Sequence, residues 1–368
     1  MKRVFAHIGF SSATALIVIN MISVSYVPYI TAGLAVLFAA SLMLKKYRQA
    51  LALPLCFGSA LFACLLFLCV YYSAVVPALS LSGKTGELSF YINDLPKFRK
   101  GEYVYIAKAT QILLNGAPQR INLRVVSDKP ITADAFCIIN ADAKFYSLGV
   151  SAFDSFSNWD DGIFLTARLK SFSVTDNKVF SPMKFVLLLR NDIIETLVGA
   201  LKNDIGALSA ALITGDRYYL SDELTNSFRF AGVSHLTAVS GLHLGVLTGS
   251  TYFVFKRTGV NVKIRSSVII LMSLFYMALA GFSGSVTRAG IMFIAVFGAE
   301  FFNRKADALN SLGLAVFLMC LNPFAVCDAG SALSVLSVLS LVTVYPYLKT
   351  LFEKAFSFLS NRHTKIQE

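Results

Sequence analysis

Charged residues are scarce in this sequence: 15% of its 368 residues are Asp, Glu, Lys or Arg, whereas 56% are hydrophobic. The scarcity is uneven, because uncharged runs of 20 residues or more recur along the chain. They are 4–44, 51–76, 236–255, 266–287, 308–327 and 329–348. A helix of about 20 apolar residues crosses the roughly 30 Å hydrocarbon core of a bilayer. The runs therefore exclude an ordinary soluble protein and predict a polytopic α-helical membrane protein.

Several other signals are missing. No small-residue cleavage site follows Lys2 and Arg3, so we expect the first apolar run to remain as a helix and not to be a signal peptide. The six cysteines show no spacing typical of a zinc site, and the sequence has no internal repeat or low-complexity tract. We predict no metal, no cofactor and no catalytic residue.

The apolar runs predict about eight transmembrane helices. Their expected positions are 5–25, 28–45, 50–77, 235–255, 266–283, 286–303, 308–326 and 330–348. If the N-terminus is cytoplasmic, the inside segments carry 15 lysines and arginines against three acids, while 80–204 carries 15 against 13. The net charge of +12 is then the positive-inside signature of a membrane protein. It is therefore weak evidence for nucleic-acid binding. We expect both termini to be cytoplasmic and 79–234 to lie mainly outside.

Between the third and fourth predicted spans the pattern changes. Short alternating runs at 87–92, 103–107, 120–126 and 164–170, separated by glycine-containing and proline-containing turns, predict a small all-β domain. Residues 182–213 are predicted to be helical. Apolar residues at helical spacing from Phe185 to Leu201 predict an amphipathic helix on the outer surface, and the apolar stretch 205–215, which is too short to span, is interpreted as re-entrant. The domains are predicted as three N-terminal helices (1–78), a β domain (79–180), a helical segment (181–234), a membrane domain (235–350) and a tail (351–368).

The segment 215–245 puts His235, Ser240 and His243 at the start of a predicted membrane helix. Ionisable groups in a membrane span are costly and usually face protein or a water-filled path. Ser240 and His243 share a helix face, but no acid partner is evident for a hydrolytic pair, and a metal site at His235 and His243 lacks a third ligand. Hydrogen bonding to neighbouring helices and a polar lining of a conduction path remain open.

Two further patterns lie in the membrane half. Gly241, Gly245 and Gly249 form a G-x-x-x-G-x-x-x-G ladder, which favours close packing of another helix. Arg288, Asp307 and Asp328 fall at predicted helix ends, where long side chains can reach the interface. Arg288 follows 281–287 at a predicted outer mouth, where a fixed cation suits the passage of phosphates.

These motifs resemble one family. The segment 215–245 is similar to the signature of the ComEC competence family, G-D-R-x-x-L-S followed by F-R-x-A-G-x-S-H-L-x-A-V-S-G-L-H-x-G. The segment 281–292 resembles its G-F-S-x-S-x-x-R-A-x-x-M motif, and Asp307, Asn310 and Asp328 fall in stretches that fit its next two helices. The resemblance covers about 50–345.

The resemblance implies a function. The family passes single-stranded DNA into the cell during natural transformation, so it implies a channel component in the bacterial cytoplasmic membrane with the residues above along the DNA path. It also implies that the β domain is OB-like and holds the strand on aromatic side chains. The candidates are Phe90, Tyr91, Tyr103 and Tyr105. Implied partners are single-stranded DNA, membrane lipid, a DNA receptor and a cytoplasmic helicase.

The sequence departs from the family in two places. Ser331 and Ala332 stand where Phe-Gln is usual, and no His-x-His-x-Asp cluster of the C-terminal metallo-β-lactamase-like domain occurs. Three alternatives stay open: a truncated or split member that needs a separately encoded C-terminal part, a transporter of another solute, and an intramembrane hydrolase using Ser240 and His243. A homo-oligomer stays open as the partner arrangement.

Overall fold

The computed structural model shows a bundle of apolar helices joined to one small β-barrel. It describes residues 3–43, 52–92, 97–99, 102–113, 121–131, 136–148, 159–160, 162–178, 181, 183–201, 204–237, 239–327 and 329–364. The helices are α1 (Val4–Met21), α2 (Val27–Met43), α3 (Ala52–Val70), α4 (Val76–Ser80), α5 (Met183–Ala200), α6 (Asp204–Thr214), α7 (Asp222–Phe230), α8 (Gly241–Arg257), α9 (Val262–Leu279), α10 (Gly284–Phe301), α11 (Ala308–Met319) and α12 (Ala329–Thr364).

Within the described residues, six helical segments are long and apolar enough to cross a membrane. They are Val4–Met21, Val24–Met43, Ala52–Ser80, Val262–Leu279, Gly284–Phe301 and Gly330–Glu353. Two of the eight predicted spans are shorter in the structure. The helix expected over 235–255 begins only at Gly241, because Ser240 is its extended N-cap, and the helix expected over 308–326 ends at Met319. Pro323, which cannot donate a backbone hydrogen bond, follows shortly after that end.

The β domain is a closed barrel. Its strands are β1 (Thr85–Ile92), β2 (Lys97–Arg99), β3 (Glu102–Leu113), β4 (Asn122–Ser127), β5 (Cys137–Ser147) and β6 (Ile163–Lys178). They pair in the order β1-β5-β6-β4-β3-β2, and β1 also pairs with β3, which closes five strands into a ring. The β4–β6 pair is parallel and the other pairs are antiparallel. Alternate inward side chains such as Leu88, Phe90, Leu123 and Ile139 fill the interior.

Within the described residues, two features attach the barrel to the helices. In one, α3 continues through a π-helical turn, Tyr71–Val75, into α4, which leads directly into β1. In the other, the Asn322 side-chain amide donates to the Asp160 carbonyl at 2.6 Å, and the Trp159 and Phe324 rings meet with centroids 5.1 Å apart. The interior of the barrel and the residues packed between α1, α3 and α11 therefore form one continuous apolar core.

The bundle has two distinguishable ends. α1 and α11 run parallel, because the start of α1 meets the start of α11 while Asn20, near the end of α1, donates to the Pro323 carbonyl at 3.2 Å. The barrel lies at this second end. The first end carries the loops after α8 and α10. Near it, Glu300 inside α10 forms an ion pair with Arg265 of α9, so this acid within an apolar helix is neutralised by a neighbour.

The described residues of 182–213 are helical, and the amphipathic part and the apolar part of this segment form separate helices. Two helices, α5 and α6, are present, and α6 folds back against the end of α5. The physical reason is Gly206: a Cβ on this residue would lie 2.5 Å from the Leu197 carbonyl oxygen and 2.9 Å from the Val198 Cα. Glycine thus allows a backbone approach that a regular continuous helix would not contain.

Candidate functional site

The two segments that carried the sequence motifs pack against each other. Gly215 ends α6 with a φ of +81°, a left-handed conformation that favours glycine. A Cβ on Gly215 would lie 3.4 Å from the Val239 side chain and 3.8 Å from the Ala280 carbonyl oxygen at the end of α9. A Cβ on Gly241 would lie 2.9 Å from the Ala289 Cβ of α10. The fold therefore brings 215–245 and 281–292 into one region at the barrel end of the bundle.

Ser240 and His243 are neighbours, and their contacts are those of a helix cap. The Ser240 hydroxyl accepts from the Leu242 backbone N–H at 3.3 Å, and His243 Nδ1 accepts from the Ser240 backbone N–H at 3.1 Å. The Ser240 hydroxyl also lies 3.1 Å from the same nitrogen. This reciprocal arrangement satisfies the first amides of α8. His235 lies in the 3₁₀ turn Ser234–Thr237, and its side chain falls outside the described part of the chain.

Arg288 is buried, which corrects the expectation of a cation open to an outer mouth. Its side chain lies in the first turns of α10 and is 1% exposed. The guanidinium donates to the Ser331 carbonyl oxygen at 3.1 Å and to the Ser285 hydroxyl at 3.3 Å. Arg288 thereby joins the start of α10 to the start of α12, and no phosphate can reach it in this conformation. Asp328 lies outside the described residues.

Asp307 and Asn310 connect two helix starts. Asp307 is the N-cap of α11 and accepts from the Asn310 backbone N–H at 2.8 Å, while Arg3 donates to its other oxygen at 3.2 Å. The Asn310 side-chain oxygen accepts from the Phe5 backbone N–H at 2.9 Å, which satisfies a free amide of α1. The hydrogen bond from the Asn310 backbone N–H and, to a lesser extent, the Arg3 guanidinium hold the pKa of the Asp307 carboxyl below its ordinary value. Both residues lie at the end of the bundle away from the barrel.

The glycine ladder makes a close contact at Gly241. A Cβ on Gly245 would meet the Phe293 ring at an ordinary 3.8 Å, and one on Gly249 would meet nothing within 4 Å. A tighter helix approach lies elsewhere: Gly9 of α1 and Gly313 of α11 touch backbone to backbone, so a Cβ on either would clash with the other helix. That pair was not recognised in the sequence, because its members lie 304 positions apart.

The four aromatic candidates of the barrel divide into two groups. Phe90 and Tyr105 are 0% and 2% exposed and belong to the barrel core, where the Tyr105 hydroxyl accepts from the Ile131 N–H at 2.8 Å. Burial raises the pKa of the Tyr105 phenol. Tyr91 and Tyr103 are partly exposed, and only these two can offer a ring face to a ligand.

Tyr91 borders a cleft between the barrel and the helices, which we call the barrel cleft. It has a volume of about 530 Å³. The barrel wall consists of Tyr91, Ile106, Lys108, Asn122 and Phe136, and the helix wall of Ser181, Met183, Val186, Leu187, Arg190, Ala278, Ala280, Gly281 and Ser283. The Tyr91 and Phe136 rings stack with centroids 5.6 Å apart. The cleft therefore combines an exposed lysine with an aromatic surface beside the loop that joins α9 to α10.

A second, polar cavity of about 610 Å³ lies next to it, which we call the arginine pocket. It is lined by Arg190, Gly215, Asp216, Arg217, Tyr218, Leu220, Asp222, Thr225, Phe228, Arg229, Ser234 and Thr237. Arg190 lines both cavities.

One ion pair organises this region. Arg190 lies 3.5 Å from Asp216, and their side chains are only 12% and 3% exposed. Asp216 also accepts from the Tyr218 backbone N–H at 3.0 Å, which forms the turn after Gly215. The sequence did not indicate that Arg190 belongs to a site, because its partner Asp216 is 26 residues away. The acidic residue of the G-D-R motif was the available signal that a basic partner should exist.

Fold and site together define an integral membrane protein with a bundle of apolar helices and one small β-barrel. Comparison with known proteins adds the family. The Competence family, described as "Competence protein", matches residues 212–365. Over 169 residues the chain is 31% identical to ComE operon protein 3 of Bacillus subtilis strain 168, a match that covers 45% of this chain and 22% of that protein. No solved structure matches. Residues 212–365 are thus similar to competence proteins, and the two comparisons together support a ComEC-family competence protein.

Proposed function

We propose that this chain is a membrane component of DNA uptake in competence, and that single-stranded DNA passes through the barrel cleft on its way to the membrane helices. The Competence match over 212–365 and the 31% identity to a ComE operon protein support the role in uptake. Both sequence motifs of the family lie beside the two cavities described above.

The observation that carries the proposal is which face of the barrel lies toward the membrane helices. Five strands with a parallel β4–β6 pair make a Greek-key barrel of the OB type. In such barrels the second and third strands of the ring form the face that binds oligonucleotides. Here these strands are β3 and β4, and their residues Ile106, Lys108 and Asn122 line the barrel cleft. A strand held on this face would lie against the loop that joins two membrane helices.

The proposed orientation follows from charge. Arg3, Lys256, Lys263, Arg304 and Lys305 lie at or beyond the helix ends away from the barrel. By the positive-inside rule this end faces the cytoplasm. The barrel and the arginine pocket then face outward, both termini are cytoplasmic, and the barrel cleft is on the side from which DNA arrives.

A pair of substitutions tests the barrel cleft. We expect Lys108→Gln combined with Tyr91→Ala to lower entry of labelled DNA into competent cells about tenfold or more, because a phosphate contact and a stacking surface worth roughly 1–3 kcal/mol are both lost. Lys170→Gln on β6, also an exposed lysine but outside the barrel cleft, is the matched control. Equal entry for the double variant and the control, at equal protein levels on an immunoblot, would remove the barrel cleft from the DNA path.

A further inference from the structure

The arginine pocket contains two cations that the protein itself does not use. Arg217 follows the buried Asp216, and Arg229 lies in the last turn of α7. Both side chains are exposed, and within the described residues neither makes a side-chain hydrogen bond or an ion pair. Arg190, by contrast, is held by Asp216. The two guanidinium groups share one concave surface, and within the described residues neither is held by an ion pair.

The acids of the pocket cancel only part of its positive charge, because three arginines line it against two acids. Asp216 is already engaged by Arg190 and by the Tyr218 amide. Asp222 is in the first turn of α7, where the partial positive charge of the helix N-terminus stabilises a carboxylate. Planar guanidinium groups bind phosphates in a two-pronged way, so the remaining pair suits a phosphate-bearing ligand.

Aromatic rings stand beside these cations. Tyr218 and Phe228 line the pocket, and Tyr218 meets Tyr219 edge to face with ring centroids 5.1 Å apart. Cations that follow a backbone, combined with rings on which bases can stack, are the two elements of sequence-independent binding to single-stranded nucleic acid. A pocket for isolated phosphate would not need the rings.

The pocket also continues the barrel cleft. Arg190 forms part of both walls, and a Cβ on Gly281 of the barrel cleft would lie 3.3 Å from Arg190 Nη1. A chain that leaves the β3–β4 face would therefore pass Arg190 to reach Arg217 and Arg229.

We infer that the arginine pocket is a second subsite for single-stranded DNA, in which Arg217 and Arg229 contact successive phosphates and Tyr218 or Phe228 stacks a base. This inference rests on the proposed function, because it takes the ligand to be the strand that the barrel cleft delivers. It assigns the 215–237 segment a direct contact with DNA, whereas Ser240, His243 and Arg288 support the helices around it.

Equilibrium binding tests the subsite. The full chain in nanodiscs of a zwitterionic lipid is titrated against fluorescein-labelled oligothymidylate, and anisotropy is measured across a salt series. We expect Arg217→Gln with Arg229→Gln to raise Kd at least tenfold and to reduce the slope of log K against log salt by about 1.4, since each single-strand phosphate contact contributes about 0.7. Tyr218→Ala should raise Kd about fivefold or more.

The control is Arg257→Gln with Arg304→Gln, which removes the same charge at the opposite end of the bundle and should leave Kd and slope unchanged. Unaltered thermal unfolding of the Arg217 and Arg229 variant shows that it is folded. An unchanged salt slope in that variant overturns the subsite. The subsite is also overturned if the Arg217 and Arg229 variant loses only its binding to anionic phosphatidylglycerol vesicles and still binds oligothymidylate normally, because the pocket would then bind lipid head groups.

Failure of the subsite and failure of the uptake function give different results. If oligothymidylate binding depends on Arg217 and Arg229 but DNA entry into cells does not need this chain, the subsite stands and the proposed function fails. If entry needs Lys108 and Tyr91 while the arginine variant binds and imports DNA normally, the function stands and the subsite fails.

Discussion

Individual polar side chains in the membrane half of the molecule hold backbone groups at helix ends. Ser240 and His243 satisfy amides of α8, Asp307 caps α11, and Asn310 accepts from an amide of α1. Arg288 donates to a carbonyl at the start of α12. An unsatisfied amide or carbonyl in an apolar surrounding costs up to several kcal/mol, so these residues stabilise the packing of the helix ends.

The Arg288 side chain should matter first for stability. Arg288→Gln removes charge-assisted hydrogen bonds worth about 1.5–3 kcal/mol and leaves buried acceptors without their donor. We expect a lower Tm in detergent, measured by fluorescence-detected size exclusion after heating. Arg304→Gln, at an exposed loop position, is the control and should melt like the parent protein. Parental melting of Arg288→Gln would mean that the Ser331 contact contributes nothing.

The cap at Ser240 separates a structural role from a hydrolytic one. Ser240→Ala should destabilise the start of α8 by about 0.5–2 kcal/mol, whereas Ser240→Asp, which also caps well, should restore stability and DNA entry. The readouts are Tm and labelled DNA entry for the two variants side by side. A serine nucleophile would tolerate neither change, so an inactive but stable Ser240→Asp protein would contradict the cap as the whole explanation.

Asp307 predicts a pH dependence. Its folded pKa lies below the unfolded value of about 3.9, so folding binds fewer protons, and the stabilisation is present above that pH and lost as the pH falls through the lower folded pKa. We expect the parent protein to melt above Asp307→Asn at pH 7 and the difference to shrink below about pH 4. A difference in Tm that stays constant between pH 7 and pH 3 would exclude this carboxylate as the cause.

At the scale of elements, the contact between α1 and α11 decides how the bundle is built. The two helices run parallel and touch at Gly9 and Gly313, and their starts are tied by Arg3, Asp307 and Asn310. Close backbone approach between small residues is a main source of helix association in lipid, where burial of apolar surface gives little.

Glycine substitutions should therefore differ sharply by position. Gly313→Ala introduces a Cβ that would clash with the Ala6 backbone, so the helices must separate and abundance and Tm should fall. Gly249→Ala places its Cβ in open space and should be neutral or slightly stabilising, because alanine favours helix. Membrane abundance and melting of the two variants are compared directly. Equal behaviour of the pair would show that the α1–α11 crossing is not as tight as described.

The sequence predicted the elements better than their contacts. Uncharged runs predicted the long apolar helices, and alternation predicted β1, β3, β4 and β6, since these signals are local. The way α6 folds back on α5 depends on the contact of Gly206 with Leu197, and closure of the barrel depends on the pairing of β1 with β3. A local hydrophobic periodicity in the sequence indicates neither contact. In the site, the spacing of Ser240 and His243 predicted their contact. The burial of Arg288 and the Arg190–Asp216 ion pair could be seen only in the three-dimensional structure, because each joins residues from different parts of the chain.

For the whole molecule, charge and structure separate the same two ends. The barrel, both cavities and the starts of α8 and α10 lie at one end, and the cationic loops lie at the other. An orientation assigned from charge therefore decides on which side of the membrane DNA would meet the protein.

Cysteine labelling checks that orientation. Lys129 is exposed at the end of β4, and Lys305 is exposed between α10 and α11. In a background without the native cysteines, an impermeant thiol reagent applied to intact cells should label Lys129→Cys and should label Lys305→Cys only after lysis. The reverse pattern would turn the barrel toward the cytoplasm and contradict the proposed route.

The double attachment of the barrel has a mechanical consequence. Helix continues from Ala52 through the π turn to Ser80 and so leads stiffly into the first strand, while Asn322 and Phe324 grip the domain at a second point. Two anchors far apart in sequence restrict rotation of the barrel about either one of them. Tension on a bound DNA strand would act on both anchors at once, so the barrel would keep its orientation relative to the helices. The direction in which the strand meets the membrane would then be set by the protein and not by the pull.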